Sequence, residues 1–342
     1  MVSYRELKRR IANTLAGGTL ENSAAQDILA LPRVVKYDCL AAGKGVYVVQ
    51  NLGQLKEARD SIAAQLPAWE KSLQSIAAET YSAQKKEAHF LLEECLEGEE
   101  LSVLALCNGT DFRLLPFARD YKRRNDGQRG PNTGGMGAVC PVPMSQKLQD
   151  QYTSTFQRIL LEMAKHGTPY RGFLFAGFMI DAHEKAWLIE FNCRLGDPET
   201  QVVLPGLGRD FTTELWRTAQ GESFLWPEKT GHAFEHDGQA RVFVVGASPE
   251  YPDTEAPRRK FVDAPSNHPS VANSQVVPSA LEPGNITSGG RAFGVLGSGK
   301  TISEARTKAY ARMAQIHFEA IPNAGNAATP HYRKDVGAEF PS

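Results

Sequence analysis

Polar and charged side chains crowd into residues 190–199, directly after an apolar run. Such a cluster costs free energy to bury unless it binds something. The run before it, residues 186–189, predicts a buried strand, and strand alternation puts Glu190, Asn192 and Arg194 on one face. Carboxylate and amide oxygens suit Mg²⁺ alongside substrate phosphates, and a guanidinium grips a carboxylate or phosphate through two hydrogen bonds. The alternative is a solvated strand end with a Gly-Asp-Pro turn.

A second candidate site lies upstream, where Lys36 and Lys44 flank a turn of small residues between two apolar strands. Gly43 and Gly45 allow backbone to approach a ligand closely, and the two lysines are suited to neutralise phosphate oxygens as point charges. A hairpin turn that carries Gly and Lys only for geometry and solubility is the alternative.

The third segment, residues 93–100, is an acidic, glycine-containing link that interrupts a strand predicted to begin at Phe90. A solvated linker explains it equally well.

A loop at residues 126–138 contains five glycines, more than an ordinary turn requires. Backbone N–H groups in such a loop can form an anion-binding nest, and residues 119–124 add positive charge beside it. The density of glycine favours close approach to a ligand over a flexible surface loop.

These four segments, in this order, resemble the glycinamide ribonucleotide synthetases (phosphoribosylamine-glycine ligases) of the ATP-grasp superfamily. The resemblance is carried by residues 36–46, 93–100, 131–138, 190–194 and 196–201. The loop at 131–138 together with the Asp-Pro-Glu-Thr run is specific to that family. A weaker likeness continues to residues 288–291 and 332–337, so the resemblance covers nearly everything after about residue 32.

The resemblance implies an α+β ATP-grasp fold, in which two α+β lobes clamp ATP, with a small C-terminal α/β domain. In that fold ATP lies between two sheets. Lys36 and Lys44 would hold the phosphates. Glu93 and the backbone through Leu96 would meet the adenine, and Glu100 would take the ribose hydroxyls.

The resemblance also implies the reaction. Glycine is activated by ATP as an acyl phosphate and attacked by the amine of phosphoribosylamine, which gives an amide, ADP and phosphate in purine biosynthesis. Glu190 and Asn192 would hold Mg²⁺, with Mn²⁺ as the alternative metal. Arg194 and Asp197 would be catalytic. The substrate-binding loop would comprise Asn132, Thr133, Gly134, Gly135, Met136 and Gly137.

The family normally opens with a nucleotide-binding-like α/β domain, and a strand followed by a Gly-rich fingerprint of that type is missing here. Residues 1–31 instead predict a helical extension with a Gly-Gly break. We therefore expect the chain to lack the N-terminal domain and to activate a carboxylate more readily than it transfers it to phosphoribosylamine. The predicted partners are small-molecule carboxylate and amine substrates, and whether a separate chain supplies the absent domain stays open.

Two other functions remain open. One is an ATP-grasp amide ligase that joins a different carboxylate to a different amine in a specialised pathway. The missing domain favours it, as do Cys39, Tyr121 and Arg129, which depart from the family pattern. The other is a non-catalytic ATP-binding paralogue, against which the presence of the ATP- and metal-site residues speaks.

Residues 294–301 satisfy the P-loop pattern letter for letter, between an apolar strand and a predicted helix over 302–316. Thr301 and Glu304 have the spacing of a capping box, and a P-loop enzyme also needs a parallel sheet and a later strand that ends in a metal-binding Asp. We therefore predict a helix cap, with Lys300 irrelevant to nucleotide binding.

Composition excludes several classes of protein. The 342 residues carry a net charge of −1, which argues against a generic nucleic-acid partner. Five cysteines without a C-x-x-C pair argue against disulfides and structural zinc. No apolar run is long enough to cross a membrane and no secretion signal is evident, so we expect a cytoplasmic enzyme without a membrane partner.

We predict four regions along the chain: a helical extension (1–31), a small ATP-grasp lobe (32–100), a large lobe with the metal site (101–229) and a C-terminal domain (230–342). Residues 321–330 read as a flexible linker.

Overall fold

The structure is a computed structural model that describes residues 2–15, 29–38, 45–77, 88–208, 210–225, 234, 236–252, 256–263 and 273–340. The chain divides into two compact units, Met1–Leu96 and Glu97–Ser342. Within the described ranges, no helix is both long enough and apolar enough to cross a membrane.

The first unit is a four-stranded antiparallel sheet, in the order β1–β4–β2–β3, with two helices. Val35 and Tyr37 of β2 are buried in the core, and Trp69 stacks on Tyr37 with ring centroids 4.4 Å apart. Strand alternation therefore turns Lys36 to the other face of the sheet. The elements are β1 (Val2–Ser3), α1 (Tyr4–Leu15), β2 (Arg33–Tyr37), β3 (Val46–Val49), α2 (Leu52–Ala77) and β4 (His89–Glu94).

The predicted hairpin is confirmed, since β2 and β3 pair antiparallel with Lys36 opposite Val46. Its turn, residues 39–44, lies outside the described residues, and so do residues 16–28 of the predicted helical extension, which include the Gly-Gly break.

The second unit is built on two large antiparallel sheets. One has the order β12–β11–β5–β6 and the other has the order β15–β18–β13–β10–β7. A smaller sheet has the order β16–β17–β14–β19, and strands β8 and β9 form a separate two-stranded sheet. Its strands are β5 (Glu99–Gly109), β6 (Asp111–Leu114), β7 (Arg119–Asp120), β8 (Arg123–Asn125), β9 (Arg129–Asn132), β10 (Gly137–Cys140), β11 (Tyr170–Ile180), β12 (Ala186–Asn192), β13 (Ala240–Ala247), β14 (Lys260–Asp263), β15 (Ser274–Pro278), β16 (Leu281–Glu282), β17 (Ile286–Thr287), β18 (Arg291–Gly299) and β19 (Ile316–Glu319). Its helices are α3 (Gln146–Lys165), α4 (Glu199–Val203), α5 (Asp210–Gln220) and α6 (Ile302–Met313), and a 3₁₀ turn spans Leu204–Gly206.

Helix α3 shows how the sequence builds this unit. Ser145 caps it by accepting a hydrogen bond from the backbone N–H of Leu148. Residues four apart then form one buried stripe, which packs into the core with the aromatic side chains of β6 and β12. The stripe consists of Leu148, Tyr152, Phe156 and Leu160.

Strands from distant parts of the chain share one sheet. β10 pairs with β7 on one side and with β13 on the other, and β13 pairs in turn with β18. The sheet thus crosses the predicted boundary at residues 229–230, and the four region boundaries stay predictions.

Three expectations were wrong. The strand at 186–189 exists, but β12 is an edge strand and Trp187 and Leu188 are 36% and 41% exposed. Helix α6 ends at Met313, because Ile316 begins the next strand. Residues 321–330 are not a loose linker, since the backbone N–H of Ile321 donates to the carbonyl oxygen of Gly325 at 3.0 Å and Ala328 pairs with Phe318.

Candidate active site

The two predicted metal ligands lie at the exposed end of edge strand β12. The side-chain amide nitrogen of Asn192 donates to Glu190 Oε1 at 3.2 Å, so the two side chains share a face, as predicted. The pairing with β11 slips by one residue at Ile189, a bulge of the kind that re-aims neighbouring side chains. The strand ends at Asn192, so alternation does not extend to Arg194, which is exposed and donates to the carbonyl oxygen of Leu195 at 2.9 Å.

The donor set on this strand fits a magnesium ion that arrives with a nucleotide. In the described part of the chain, no group of three or more His, Cys, Asp or Glu side chains is arranged to hold a metal. Mg²⁺ usually takes only one or two carboxylates and fills its other positions with water and substrate phosphates. With the amide nitrogen of Asn192 turned to Glu190, the amide oxygen remains available as a second oxygen ligand.

Three carboxylates surround one lysine beside this strand. Lys122 Nζ forms an ion pair with Glu100 Oε2. Burial lowers the pKa of Lys122, but the carboxylates of Glu100, Asp120 and Glu190 together raise it above its usual value. The lysine is therefore charged, and the carboxylates of Glu100 and Glu190 outnumber it, which favours a further cation.

The other basic residues of this segment are occupied. Arg124 donates to the backbone carbonyls of Pro249 and Tyr251, and Arg119 pairs with Glu99 and Glu339. These two guanidinium groups, part of the positive charge predicted beside the glycine-rich loop, thus stabilise the fold through contacts within the protein.

Two further carboxylates lie beneath the glycine-rich loop: Glu199 is buried and Asp120 is half-buried. Asp120 Oδ1 has no contact with solvent and no hydrogen-bond partner among the described residues. Glu199 Oε1 accepts a hydrogen bond from Ser102 Oγ at 2.6 Å. Burial, and next the charge of Glu199, raise the pKa of Asp120 well above its ordinary value. No spacing in the sequence distinguishes Asp120 from the other acids, whereas Glu199 belongs to the Asp-Pro-Glu-Thr run.

The glycine-rich loop is not an anion-binding nest over residues 133–136. The four N–H groups donate in turn to the carbonyl oxygen of Lys122, the hydroxyl of Tyr251, Oγ1 of Thr133 and the carbonyl oxygen of Tyr121, at 2.8 to 3.0 Å. Its glycines serve close packing, because a Cβ at Gly135 would lie 2.4 Å from Pro198 Cδ and 2.7 Å from Asp120 Oδ1.

Burial separates the predicted substrate residues into two groups. Asn132 and Gly134 are exposed and Thr133 is half-buried. Gly135, Met136 and Gly137 are buried, and a Cβ at Gly137 would lie 2.7 Å from the carbonyl oxygen of Phe243. The exposed end of the loop is therefore the part that a substrate can reach.

Arg291 ties the loop to the predicted catalytic residue Asp197. Its Nη1 donates to the carbonyl oxygens of Gly134 at 2.7 Å and Asp197 at 3.1 Å, and its Nη2 donates to Asp197 Oδ2 at 2.8 Å. The sequence pointed to this residue only through the weak likeness at 288–291. A single guanidinium thus fixes two segments of the site that are distant in sequence.

The first unit carries the other predicted nucleotide contacts. Lys36 Nζ forms an ion pair with Glu93 Oε2 at 2.7 Å, on the face of the sheet away from the core. Leu96, the last residue of this unit, is half-buried after the end of β4. Lys44 lies outside the described residues.

The P-loop lookalike is a buried strand and a helix cap. β18 is antiparallel to both of its neighbours, β13 and β15. Thr301 Oγ1 accepts from the backbone N–H of Glu304 at 3.1 Å, and Glu304 Oε2 accepts from that of Lys300 at 2.9 Å. A Cβ at Gly297 would lie 2.1 Å from the carbonyl oxygen of Ala305 in α6. The predicted cap is confirmed, and Gly297 packs directly against helix α6.

Solved structures share this fold. The biotin carboxylase domain of 2-oxoglutarate carboxylase from Hydrogenobacter thermophilus, solved with MgADP and bicarbonate, aligns with a TM-score of 0.58 at 12% identity, over 88% of this chain and 59% of that one. At that identity the likeness concerns the fold alone. The model of the phosphoribosylglycinamide synthetase ATP-grasp (A) domain matches residues 19–200. The chain is therefore an ATP-grasp protein of the α+β class.

Its family follows from the rest of the chain. The phosphoribosylglycinamide synthetase C domain matches residues 241–339. The phosphoribosylamine–glycine ligase of Ralstonia nicotianae is 35% identical over 94% of this chain and 69% of its own length, and that of Leptospira interrogans 34% over 90% and 66%. The crystal structure of the Thermotoga maritima enzyme aligns with a TM-score of 0.69 at 31% identity, over 90% of this chain and 69% of that one. The chain belongs to the phosphoribosylglycinamide synthetase family and spans about two thirds of the length of these relatives.

Proposed function

We propose that this chain is an ATP- and Mg²⁺-dependent carboxylate–amine ligase that joins glycine to the amine of phosphoribosylamine, as its relatives are named to do. The observation that carries the proposal is the Glu190–Asn192 pair at the exposed end of β12, next to Glu100 and Lys122. The same chain contains the motifs that are specific to the family.

The reaction has two steps. The glycine carboxylate attacks the terminal phosphorus of ATP, which forms an acyl phosphate and releases ADP. The amine nitrogen then attacks the acyl carbon, the bond between that carbon and the phosphate oxygen breaks and releases inorganic phosphate, and the nitrogen loses a proton as the amide forms. Steps of this kind depend on positioning and electrostatics more than on covalent help from the protein.

Each unit contributes its own groups to this chemistry. In the first unit we assign Lys36, and Lys44 from the sequence, to the phosphates, and Glu93 with Leu96 to the adenine. In the second unit we assign Glu100 to the ribose. Lys122, which pairs with Glu100, keeps that carboxylate in place.

The metal and substrate groups also belong to the second unit. Glu190 and Asn192 would hold Mg²⁺, and a bound ion there would supply positive charge to the phosphates. Arg194, exposed beyond the strand end, is free to meet a carboxylate or phosphate. Asp197, held by Arg291, and the exposed end of the loop at Asn132, Thr133 and Gly134 face the substrates. A cytoplasmic location stays a prediction, and whether a separate chain supplies an N-terminal domain stays open.

An acyl-trapping assay tests the proposal. The purified chain is incubated with Mg-ATP, glycine and hydroxylamine, which replaces the amine substrate, and both ADP and glycyl hydroxamate are measured. We expect equal amounts of both products, dependent on glycine and Mg²⁺. Absence of glycine-dependent ADP release would refute the ligase, whereas hydroxamate with another acid but not with glycine would identify a ligase of different substrate.

A further inference from the structure

Residues 333–335 hold the tip of the β8–β9 hairpin. Three consecutive residues at the tip form hydrogen bonds with these three consecutive residues, over distances of 2.8 to 2.9 Å. We call these three hydrogen bonds the clasp. They run from the backbone N–H of Lys334 to Asp126 Oδ1, from the backbone N–H of Gly127 to Asp335 Oδ2, and from Arg333 Nη1 to Gln128 Oε1. The clasp thus joins two segments that are distant in the sequence.

Arg333 is the centre of the clasp. Its side chain is 1% exposed, and its Nε and Nη2 donate to the two carboxylate oxygens of Asp335 at 2.7 and 2.6 Å. Its Nη1 also donates to the carbonyl oxygen of Arg123 at 3.2 Å, and its guanidinium lies over the ring of Tyr121, 5.0 Å from the centroid. One buried guanidinium therefore holds both the tip and the first strand of the hairpin.

The hairpin depends on contacts of this kind. β8 and β9 form a separate two-stranded sheet, and two paired strands are only marginally stable by themselves. Gln128 at the tip has a φ of 56°, in the left-handed region that residues other than glycine adopt only where their surroundings hold them. The clasp therefore stabilises a conformation that the local sequence does not favour.

The base of the hairpin belongs to the candidate active site. The carbonyl oxygen of Lys122, directly before β8, accepts from the backbone N–H and from Oγ1 of Thr133, at 2.8 and 2.7 Å. Asn132 ends β9 and begins the exposed end of the glycine-rich loop. The two strands therefore connect the clasp to the lysine that pairs with Glu100 and to the residues that a substrate can reach.

We infer that Arg333 and Asp335 are positioning residues for the candidate active site. Through the clasp they set where the hairpin places residues 132–134, the exposed end of the loop. The inference rests on the proposed function, because it concerns how that site holds its substrates. Neither residue needs to touch a substrate, since a displacement of about 1 Å that arises far from the reacting atoms can lower a rate on the order of a hundredfold.

Gln128→Ala and Arg333→Met test the clasp from its two sides. The first removes one hydrogen bond made by an exposed side chain, so the variant should melt at the temperature of the parent. The second removes the buried guanidinium. In both variants the backbone N–H groups of residues 123–132 should exchange hydrogen at least about tenfold faster, measured by mass spectrometry, since a hydrogen bond to a charged group contributes enough to closure for such a factor.

The same variants should lose activity in a way that a general loss of folded protein would not reproduce. In the acyl-trapping assay the KM for glycine should rise and its kcat/KM should fall about tenfold or more. The KM for Mg-ATP should stay as in the parent, because the groups assigned to ATP lie outside the hairpin.

Two variants elsewhere in the second unit are matched controls. Gln146→Ala removes an exposed glutamine whose amide donates to Asp150, and Arg312→Met removes a largely buried arginine that pairs with Asp263. Both should keep the hairpin exchange rate and the kcat/KM of the parent.

Three results would overturn the inference: hairpin exchange as in the parent in folded Gln128→Ala, faster exchange with an unchanged kcat/KM for glycine, or equal losses in Gln146→Ala. A parent that releases no ADP with any carboxylate would instead refute the proposed function. The exchange measurement needs no turnover, so it would still decide whether the clasp holds the hairpin.

Discussion

Two glycine-rich segments of the second unit look alike in sequence and differ in structure. The loop at 126–138 turns at the surface with left-handed backbone at Gly127, Gly130 and Gly135. The segment at 294–299 is a straight strand, in which Gly297 and Gly299 lie directly under helix α6. Only the first leaves exposed backbone that a ligand can reach.

The glycines of the two segments make room for different neighbours. In β18 the missing side chains let a helix approach the sheet, so the glycines belong to the core and Lys300 to an exposed cap. In the loop the missing side chains let Asp120, Pro198 and Arg291 come close, so the glycines bring site residues together. The sequence pattern favours residues 294–301 for phosphate binding, whereas the contacts favour the end of β12, beside the loop at 126–138.

Substitutions of the predicted metal ligands on β12 should lower activity more than any substitution in the two glycine-rich segments. Glu190→Ala and Asn192→Ala each remove an oxygen ligand at the exposed end of a strand, so glycine-dependent ADP release should fall at least about a hundredfold while the melting temperature stays near that of the parent. Glu162→Ala, which removes an exposed carboxylate from α3, is the matched control and should be fully active. Normal turnover in both strand variants would show that the metal assignment is wrong.

Substitution of one glycine in each segment should separate a loss of stability from a loss of activity. Gly297→Ala drives a Cβ into the backbone of α6 and should cost about 1–3 kcal/mol of unfolding free energy, measured by denaturant titration. In Gly134→Ala the new Cβ meets only the end of the Arg291 side chain, 3.0 Å away. That variant should keep its stability and lose kcat/KM instead. If Gly297→Ala lost activity without losing stability, the contrast between the two segments would fail.

Features of the site that depend on local spacing could be predicted from the sequence, whereas contacts between distant residues could not. Glu190, Asn192 and the helix cap at Thr301 follow from local alternation and spacing, and the structure has these features. The proximity of Asp120 to Glu199 and the contacts of Arg291 involve residues far apart in the chain, and no local pattern encodes that proximity or those contacts. The exposure of Trp187 and Leu188 was misjudged because an apolar run does not reveal whether its strand is central or at an edge.

A smaller effect tests the carboxylates under the loop. The pKa of Asp120 is raised in the folded chain, so its contribution is fully present below the ordinary carboxyl range and is lost as pH rises through the raised value. Asp120→Asn removes this titration and keeps an acceptor oxygen. Relative to the parent, the variant should gain stability on the order of 1 kcal/mol at about pH 8 and less at about pH 5. A stability difference that does not depend on pH would contradict the raised pKa.

The smallest expected effect is at the P-loop lookalike. In Lys300→Ala the backbone N–H that donates to Glu304 is kept and only an exposed side chain is removed, so the affinity for Mg-ATP should be unchanged. Lys36→Ala should weaken that affinity about tenfold or more, since it removes a charge assigned to the phosphates. The reverse result, with ATP affinity lost only in the Lys300 variant, would favour the P-loop interpretation.

If the terminal phosphoryl group of ATP is transferred directly to the glycine carboxylate, an oxygen atom of that carboxylate must end up in the released phosphate. Glycine labelled with oxygen-18 in its carboxylate is incubated with the chain, Mg-ATP and hydroxylamine, and the inorganic phosphate is analysed by mass spectrometry. An acyl phosphate predicts one labelled oxygen in each phosphate released. Unlabelled phosphate alongside ADP would mean that water attacks ATP, and label in AMP would mean an adenylate intermediate; either result would contradict the account.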